Sequence, residues 1–162
     1  DLLQYYNSSN IQNENTCIEW QYFINFIKST PDFVPFRTEW IVYDTELKLA
    51  GSVDMVYIND DGTINIYDWK RSKEIKRVSY TNEFSTTHCI AEIPDTNFWH
   101  YSLQLNIYKY ILEKNYDHIV KDLFLVILHP DSKENNFELI KVPDLTLQVT
   151  RLFHEKHLNN NL

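Results

Sequence analysis

The sequence INIYDWK, from Ile64 to Lys70, predicts a strand around which the rest of the chain is organised. Because successive side chains of a strand point to opposite faces, Ile64, Ile66, Asp68 and Lys70 share one face. The first two residues are typical of a protein core, whereas the last two carry opposite charges. Charges at the end of a buried row are costly unless they are paired or bind something. The pattern therefore indicates a functional site at the C-terminal end of this strand.

The preceding segment, Ala50–Ile58, shows the same pattern, because Asp54 shares a face with apolar residues further along it. Between the two segments, Asp60-Asp61-Gly62 is a tight-turn signal. We therefore expect a hairpin, and pairing about its turn can place Asp54 near Asp68. Two carboxylates and the ammonium of Lys70 would then lie on one patch.

The rest of the chain predicts an α/β domain. Helical spacing of apolar residues predicts helices at about residues 15–28, 97–114 and 143–157, and residues 1–6 fit the end of a further helix that the polar run 7–10 closes. Strands are expected at about residues 37–43, 50–58, 64–70, 123–128 and 137–142. The run at 123–128 is almost continuously apolar, which is typical of a strand buried on both faces. Residues 71–97 show no firm periodicity, and a loop of this length is usually functional or mobile. The pattern indicates a central mixed sheet of about five strands flanked by helices.

The composition of the 162 residues excludes several classes of protein. Two glycines cannot build a glycine-rich phosphate loop, so Walker and dinucleotide-binding fingerprints are excluded. No apolar run approaches the roughly 20 residues that span a bilayer, so we expect no membrane partner. Cys17 and Cys89 match neither a disulfide framework nor a metal-binding spacing. Reduced thiols in an intracellular protein are therefore expected.

Charge is distributed unevenly along the chain. The net charge of −8 by itself disfavours non-specific binding to nucleic acid. Within one short stretch, however, lie the cations Lys70, Arg71, Lys73, Lys76 and Arg77. This stretch is either a solvated loop or a local basic groove, and the sequence leaves both readings open.

The two aspartates and the lysine are a set suited to phosphoryl chemistry. Hard oxygen ligands suit Mg²⁺ or Mn²⁺, and such an ion polarises a phosphoryl oxygen and activates water. A lysine on the same face can orient that water or neutralise charge developing on the phosphate. Glu39, on the predicted strand 37–43, is a third candidate acid or an ordinary edge-strand glutamate. Gln104 and Tyr108 lie four residues apart and hence on one face of a predicted helix.

Three motifs follow one another in the chain: Gly51-Ser52-Val53-Asp54, Asp68-Trp69-Lys70, and Gln104-Leu105-Asn106-Ile107-Tyr108. They resemble the GxxD, DxK and QxxxY motifs of the PD-(D/E)xK nuclease superfamily. The RecB-like exonuclease branch, which includes the mitochondrial genome maintenance exonuclease, is the most similar. A DxK motif alone is weak evidence, whereas three motifs in order on the expected elements are fairly specific. The resemblance covers about residues 39–108 and implies a restriction-endonuclease-like fold, with residues 1–162 forming one nuclease domain.

The resemblance also implies a role for each matching residue in metal binding and catalysis. Asp54 and Asp68 would be metal ligands, and the main-chain carbonyl of Trp69 would add a third. Lys70 would be the catalytic lysine. Glu39 resembles an acidic position on the preceding strand that also serves the metal. The implied cofactor is Mg²⁺ or Mn²⁺.

The substrate and biological setting follow from the same resemblance. Gln104 and Tyr108 would order the site and contact a DNA end, and Arg71 and Lys73 are further candidate substrate-binding residues. The implied activity is exonucleolytic hydrolysis of DNA ends or single strands in repair, recombination or replication, with a helicase or another such protein as a candidate partner. The alternative is an inactive nuclease-fold module that binds DNA or a protein.

One departure from the family pattern concerns histidine. The branch usually carries a metal-ligating histidine on an N-terminal helix, but no histidine precedes His88 here. Residues 1–7 look like the tail of that helix and Asp1 is not a methionine, so we expect a chain excised or truncated upstream. The alternatives are that Glu19 or another acid substitutes, or that metal binding is weakened. Two cysteines cannot supply the four that iron–sulfur members of the branch carry.

Overall fold

A computed structural model of the chain describes residues 17–160. The predicted helix end at residues 1–6 lies outside them. In chain order the elements are α1 (Ile18–Ser29), β1 (Val34–Asp44), β2 (Leu49–Ile58), β3 (Ile64–Lys70), α2 (Asn97–Asn115), β4 (Val120–Ile127), β5 (Glu138–Lys141) and α3 (Thr146–Asn160). All these elements were expected, and their ends differ from the predicted ones by up to three residues.

The five strands form one mixed sheet in the order β1-β2-β3-β4-β5. The pairs β1–β2, β2–β3 and β4–β5 are antiparallel, and β3–β4 is parallel. A parallel pair needs a long crossover connection, and here that connection contains α2. The predicted α/β architecture, a five-stranded mixed sheet flanked by helices, is confirmed.

The hairpin of β2 and β3 has the predicted geometry. Gly62 lies in its turn with φ +80°, a conformation that glycine adopts at low cost. The strands pair antiparallel in a register that places Met55 opposite Tyr67. One further step along the same register brings Asp54 opposite Asp68. A slip by a single residue would send one of the two carboxylates to the other face of the sheet.

Each face of the sheet carries its own hydrophobic cluster. On the face of β3 that holds Ile64 and Ile66, the cluster includes Leu105 of α2. On the opposite face, Phe26 of α1 packs against Tyr67. The alternation predicted for β3 is therefore confirmed, and it delivers Asp68 to the side of the sheet that α2 covers.

The buried face of α2 is broader than its predicted apolar stripe. Its buried residues are Phe98, Ser102, Leu105, Asn106, Tyr108, Ile111 and Leu112. The reason is that α2 packs on α3 as well as on the sheet. Asn106 joins the two helices, because its side chain donates to the carbonyl of Pro143 at 3.0 Å and accepts from the N–H of Leu145 at 2.8 Å. For the same reason α3 begins at Thr146, whereas the sequence suggested a start at Pro143.

The segment between β3 and α2 is irregular, as predicted, but it is fixed at both ends. Asn97, the first residue of α2, accepts a hydrogen bond from the N–H of Lys76 and donates one to the carbonyl of Glu74, both at 2.8 Å. Near the other end, Glu92 forms an ion pair with Arg151 of α3 at 3.0 Å. Its middle part is also hydrogen-bonded within the segment, from the N–H of Ser85 to the carbonyl of Ile93 at 2.8 Å and from the N–H of Asp95 to the carbonyl of Glu83 at 3.0 Å.

Two further observations bear on the composition. Cys17 and Cys89 are both free thiols. Among the described residues 17–160, no helix combines the length and the apolarity that crossing a bilayer requires.

Candidate active site

Asp68 and Lys70 lie side by side at the end of β3. Lys70 Nζ is 2.6 Å from Asp68 Oδ2, and the two side chains are 19% and 3% exposed. Asp68 Oδ2 is therefore a buried oxygen whose partner is the ammonium of Lys70. Burial raises the pKa of Asp68 to about 6; the adjacent ammonium of Lys70 opposes this shift and the charge of Asp54 adds to it.

Asp54 reaches the same patch from β2. Its Oδ2 accepts a hydrogen bond from the main-chain N–H of Trp69 at 3.0 Å. The backbone pairing of β2 with β3 ends at Met55. The Asp54 carboxylate therefore bonds to β3 just beyond the last pair of the β-ladder. Burial raises the pKa of Asp54, and the charge of Glu39 acts in the same direction, whereas the Trp69 hydrogen bond and Lys70 act against them. The hairpin therefore brings together two carboxyl groups whose ionisation is disfavoured.

Helix α2 connects this patch to the third motif. Gln104 Oε1 accepts a hydrogen bond from Lys70 Nζ at 3.3 Å. Gln104 Nε2 donates in turn to Tyr108 Oη at 3.0 Å. The ring of Tyr108 lies against Gly51, where a Cβ atom would overlap the ring. A single series of contacts thus links Asp68, Lys70, Gln104, Tyr108 and Gly51, which come from three separate stretches of the sequence.

Tyr101 is a site residue that the sequence analysis did not identify. The centre of its ring lies 4.6 Å from Lys70 Nζ, within the range of a cation–π contact. In the sequence, Tyr101 is one of the residues at helical spacing within 97–114 that are typical of an apolar stripe. Its position three residues before Gln104 was the available signal, because residues three apart share one helical face.

Arg71 and Lys73 lie outside the carboxylate patch. Arg71 Nε is 2.7 Å from Glu19 Oε1, and Lys73 Nζ is 3.1 Å from Asp131 Oδ2. The side chains of Arg71 and Lys73 are mostly exposed in these pairs. Glu19, expected as an alternative metal ligand, is instead the partner of Arg71, and this pairing lowers its pKa.

The residues of the patch fit a divalent cation in charge and donor type. Within residues 17–160 no cluster of three or more His, Cys, Asp or Glu side chains is placed to hold a metal ion. Asp54 and Asp68 nevertheless offer hard oxygen atoms, and Oδ2 of Asp68 is buried. A divalent cation between the two carboxylates would offset the charge repulsion and the cost of burying charge, which raise the pKa values of both groups. Glu39 is an exposed residue of β1 with φ +46°, near enough for its charge to act on Asp54.

Comparison with known proteins adds two findings on the fold. No curated protein matches the sequence. Among eleven similar chains of known structure is the crystal structure of a "Putative exonuclease" from Eubacterium rectale, with a TM-score of 0.50 and 13% sequence identity. The similarity covers 88% of this chain and 50% of the other, so this chain spans half the length of that protein. At this level of identity the similarity shows the fold alone.

A family comparison is more specific. The sequence matches the family described as the PD-(D/E)XK nuclease superfamily over residues 16–158. This match includes the sheet, all of α1 and α2, most of α3 and the three motifs that meet at the carboxylate patch. The restriction-endonuclease-like fold that the motifs implied is therefore confirmed. The chain belongs to the PD-(D/E)XK nuclease superfamily.

Proposed function

We propose that this chain is a metal-dependent deoxyribonuclease of the RecB-like branch that degrades DNA from its ends. The observation that supports it best is the contact between Lys70 and both Asp68 and Gln104, which joins the DxK and QxxxY motifs in one site. Asp54 completes the set from β2. Family membership supports a nuclease. We propose in addition that the substrate is DNA, that the enzyme is an exonuclease, and that it acts in repair, recombination or replication alongside a helicase or similar partner.

The proposed metal ligands are Asp54 and Asp68, with the carbonyl of Trp69 and the carboxylate of Glu39 as further candidates. Bound Mg²⁺ or Mn²⁺ would supply Lewis-acid polarisation of the phosphate and a water of lowered pKa. The protein contributes the placement of the two aspartates, which follows from the register of β2 and β3.

Lys70 is proposed as the catalytic cation. Its ammonium is held by the oxygen of Gln104 and by the ring of Tyr101, in addition to Asp68. From this position it can donate to a phosphate oxygen or to the attacking water as negative charge develops. Because these contacts exist before substrate binds, little reorganisation is needed during the reaction.

Substrate contacts are proposed for four side chains. Gln104 of α2 contacts Lys70 and donates to Tyr108, and both α2 side chains would meet the strand end. Arg71 and Lys73 follow β3 directly and pair with acids on the surface. Exposed ion pairs contribute little stability, so a phosphate group can replace the acidic partner of either side chain at small cost.

A catalytically inactive module that binds DNA or a protein is the second candidate. The observation that favours it is that, among the described residues, no group of three or more His, Cys, Asp or Glu side chains is placed to hold a metal ion. The two candidates differ in metal binding and turnover, not in fold, and one set of measurements separates them.

The decisive experiment measures cleavage of end-labelled single-stranded and duplex oligonucleotides with Mg²⁺, with Mn²⁺ and with EDTA. We expect Lys70→Met to lower the cleavage rate by about 10²–10³, because the ammonium acts mainly in the transition state. Asp68→Asn should abolish both cleavage and calorimetric metal binding. Lys109→Met is the matched control: Lys109 is 16% exposed and lies 2.7 Å from Asp144, on α2 away from the patch. Release of mononucleotides identifies exonuclease action.

Stability measurements on the same samples complete the test. The melting temperature of Lys70→Met should fall below that of wild type, because the variant leaves the buried carboxylate of Asp68 without its cation. If that variant cleaves at the wild-type rate per folded molecule, Lys70 only neutralises Asp68. A wild-type chain that binds DNA but neither binds metal nor cleaves would establish the inactive module.

A further inference from the structure

A groove of about 640 Å³ adjoins the end of β3. One wall is formed by residues 72–74, 76 and 78–81, which follow β3 after the carboxylate patch, and the other by residues 95–97 at the N-terminus of α2. Ser72, the first residue of this groove, lies only two positions beyond Lys70. Anything bound along the groove therefore has a short path to the patch.

The wall that follows β3, which we call the outer wall, exposes large apolar side chains. Tyr80 is 85% exposed and Val78 is 72% exposed. Isolated exposed apolar residues are common, but two of them on one groove wall are more typical of a binding surface. A tyrosine in this position offers a flat face that a planar ligand can cover. The ammonium of Lys76 lies 5.6 Å from the ring centre of Tyr80, so a cation adjoins the aromatic surface.

The same stretch is the basic part of an acidic protein. Residues 70–77 contain five cations and the single acid Glu74, a local charge of +4 in a chain of net charge −8. Lys76 lies 3.9 Å from Glu74, which is a loose ion pair. Arg77 lies 4.2 Å over the ring of Phe98. These exposed cations favour an anionic ligand over a neutral one.

The N-terminus of α2 forms the inner wall. Thr96 is its N-cap residue, but the hydroxyl makes no capping hydrogen bond. Thr96 is 8% exposed, and its hydroxyl has no hydrogen-bond partner among the described residues. Uncapped N–H groups and the helix dipole favour a negative group at such an end. Asp95 also lines this end, and its carboxylate is paired with His100 at 2.7 Å.

We propose that this groove binds single-stranded nucleic acid, with an unpaired base stacked on Tyr80 and the adjoining phosphates near Lys76 and the N-terminus of α2. The inference rests on the proposed function, because the bound strand would continue to Lys70. It specifies the substrate as an unpaired strand. In a duplex each base is already stacked between its neighbours, so only an unpaired base offers a free face to the tyrosine.

The test measures binding without cleavage. Fluorescence anisotropy in EDTA compares a labelled single-stranded oligonucleotide with a duplex of the same sequence. Tyr80→Ala should weaken single-strand binding about tenfold or more and leave duplex binding unchanged, whereas Tyr80→Trp should preserve it. Tyr43→Ala is the control, because Tyr43 is 55% exposed on β1 and lies outside the groove. At such an exposed position the fold should tolerate the change.

Photocrosslinking provides a second measurement on the unmodified protein. A single strand containing 5-iododeoxyuridine should crosslink to Tyr80, identified by mass spectrometry. Equal losses on single strand and duplex, or unchanged single-strand binding by Tyr80→Ala, would overturn the proposal. A Tyr80→Ala variant that binds the single strand like wild type, but binds lipid vesicles or proteins more weakly, would also overturn the proposal. Cleavage is assayed separately with Mg²⁺. A chain that binds single strands through Tyr80 but never cleaves them would support the groove proposal and contradict the nuclease proposal.

Discussion

Lys70 has three partners of different chemistry. A carboxylate lies at 2.6 Å, an amide oxygen at 3.3 Å, and the face of the Tyr101 ring at 4.6 Å. The carboxylate and the amide oxygen attract the ammonium directly, and the ring limits where it can move. Tyr101 is therefore a positioning residue that acts on the reaction through Lys70.

We expect Tyr101→Leu to reduce kcat for DNA cleavage by about tenfold, because the aromatic face is lost. Tyr101→Phe keeps that face and should retain most of the wild-type rate. KM should change little in both variants, since Tyr101 acts through Lys70. Steady-state kinetics and melting temperatures of the three proteins check this. Equal activity of the Leu and Phe variants would contradict a role for the ring face.

At the level of elements, the distance between β2 and α2 is set by Gly51 and Tyr108. The glycine leaves room for the tyrosine ring, and the tyrosine hydroxyl accepts from Gln104, which contacts Lys70. Strand–helix packing and the orientation of the site are thus coupled. The glycine of the first motif serves close packing here, because its φ lies outside the left-handed region.

Gly51→Ala should lower the free energy of unfolding by about 1–3 kcal/mol, because the added methyl group overlaps the ring of Tyr108. Ser52→Ala, an exposed neighbour on the same strand, should change it by less than about 0.5 kcal/mol. Urea unfolding measures both. In a double-mutant cycle, Tyr108→Leu should relieve part of the Gly51→Ala loss. Purely additive losses would show that the two positions do not contact each other.

At the scale of the whole molecule, Asp44 joins the end of β1 to the C-terminus of α2. Its carboxylate accepts hydrogen bonds from the N–H of Leu47 at 2.8 Å, Lys114 Nζ at 2.9 Å and Asn115 Nδ2 at 3.1 Å. Burial opposes ionisation of Asp44, but these bonds outweigh it and hold its pKa at about 2. Segments some 70 positions apart in sequence are thereby held together by one ionised group.

This connection predicts a loss of stability in acid. In the unfolded chain Asp44 should titrate near 3.8, so its contribution is complete above that pH and is lost as the pH falls towards about 2. The contribution is about 2 kcal/mol. Urea unfolding of wild type and Asp44→Asn between these pH values should show a smaller pH dependence in the variant. Lys114→Met should destabilise at pH 7 and approach wild type near pH 2. Parallel pH profiles of wild type and Asp44→Asn would contradict the assignment.

The sequence was sufficient where the determining interactions are local. Alternation along Ile64–Lys70, the Gly62 turn and the helical spacing within 97–114 predicted β3, the hairpin and α2. The expected position of Asp54 near the end of β3 came from the turn and from the strand pairing that such a turn allows. Element ends were less well predicted, because side chains such as Asn106 capture main-chain groups that sequence periodicity assigns to a helix.

By itself, the sequence determined the strands, the main helices, the hairpin and the order of the three motifs, since these depend on neighbours within a few residues. Only the tertiary structure decided which side chains meet. The contact of Lys70 with Gln104 spans 34 positions and depends on how α2 crosses the sheet. The crossing angle also placed Tyr101 over the ammonium, and surface packing paired Arg71 with Glu19. Contacts between distant segments result from the packing of whole elements, and no local pattern encodes that packing.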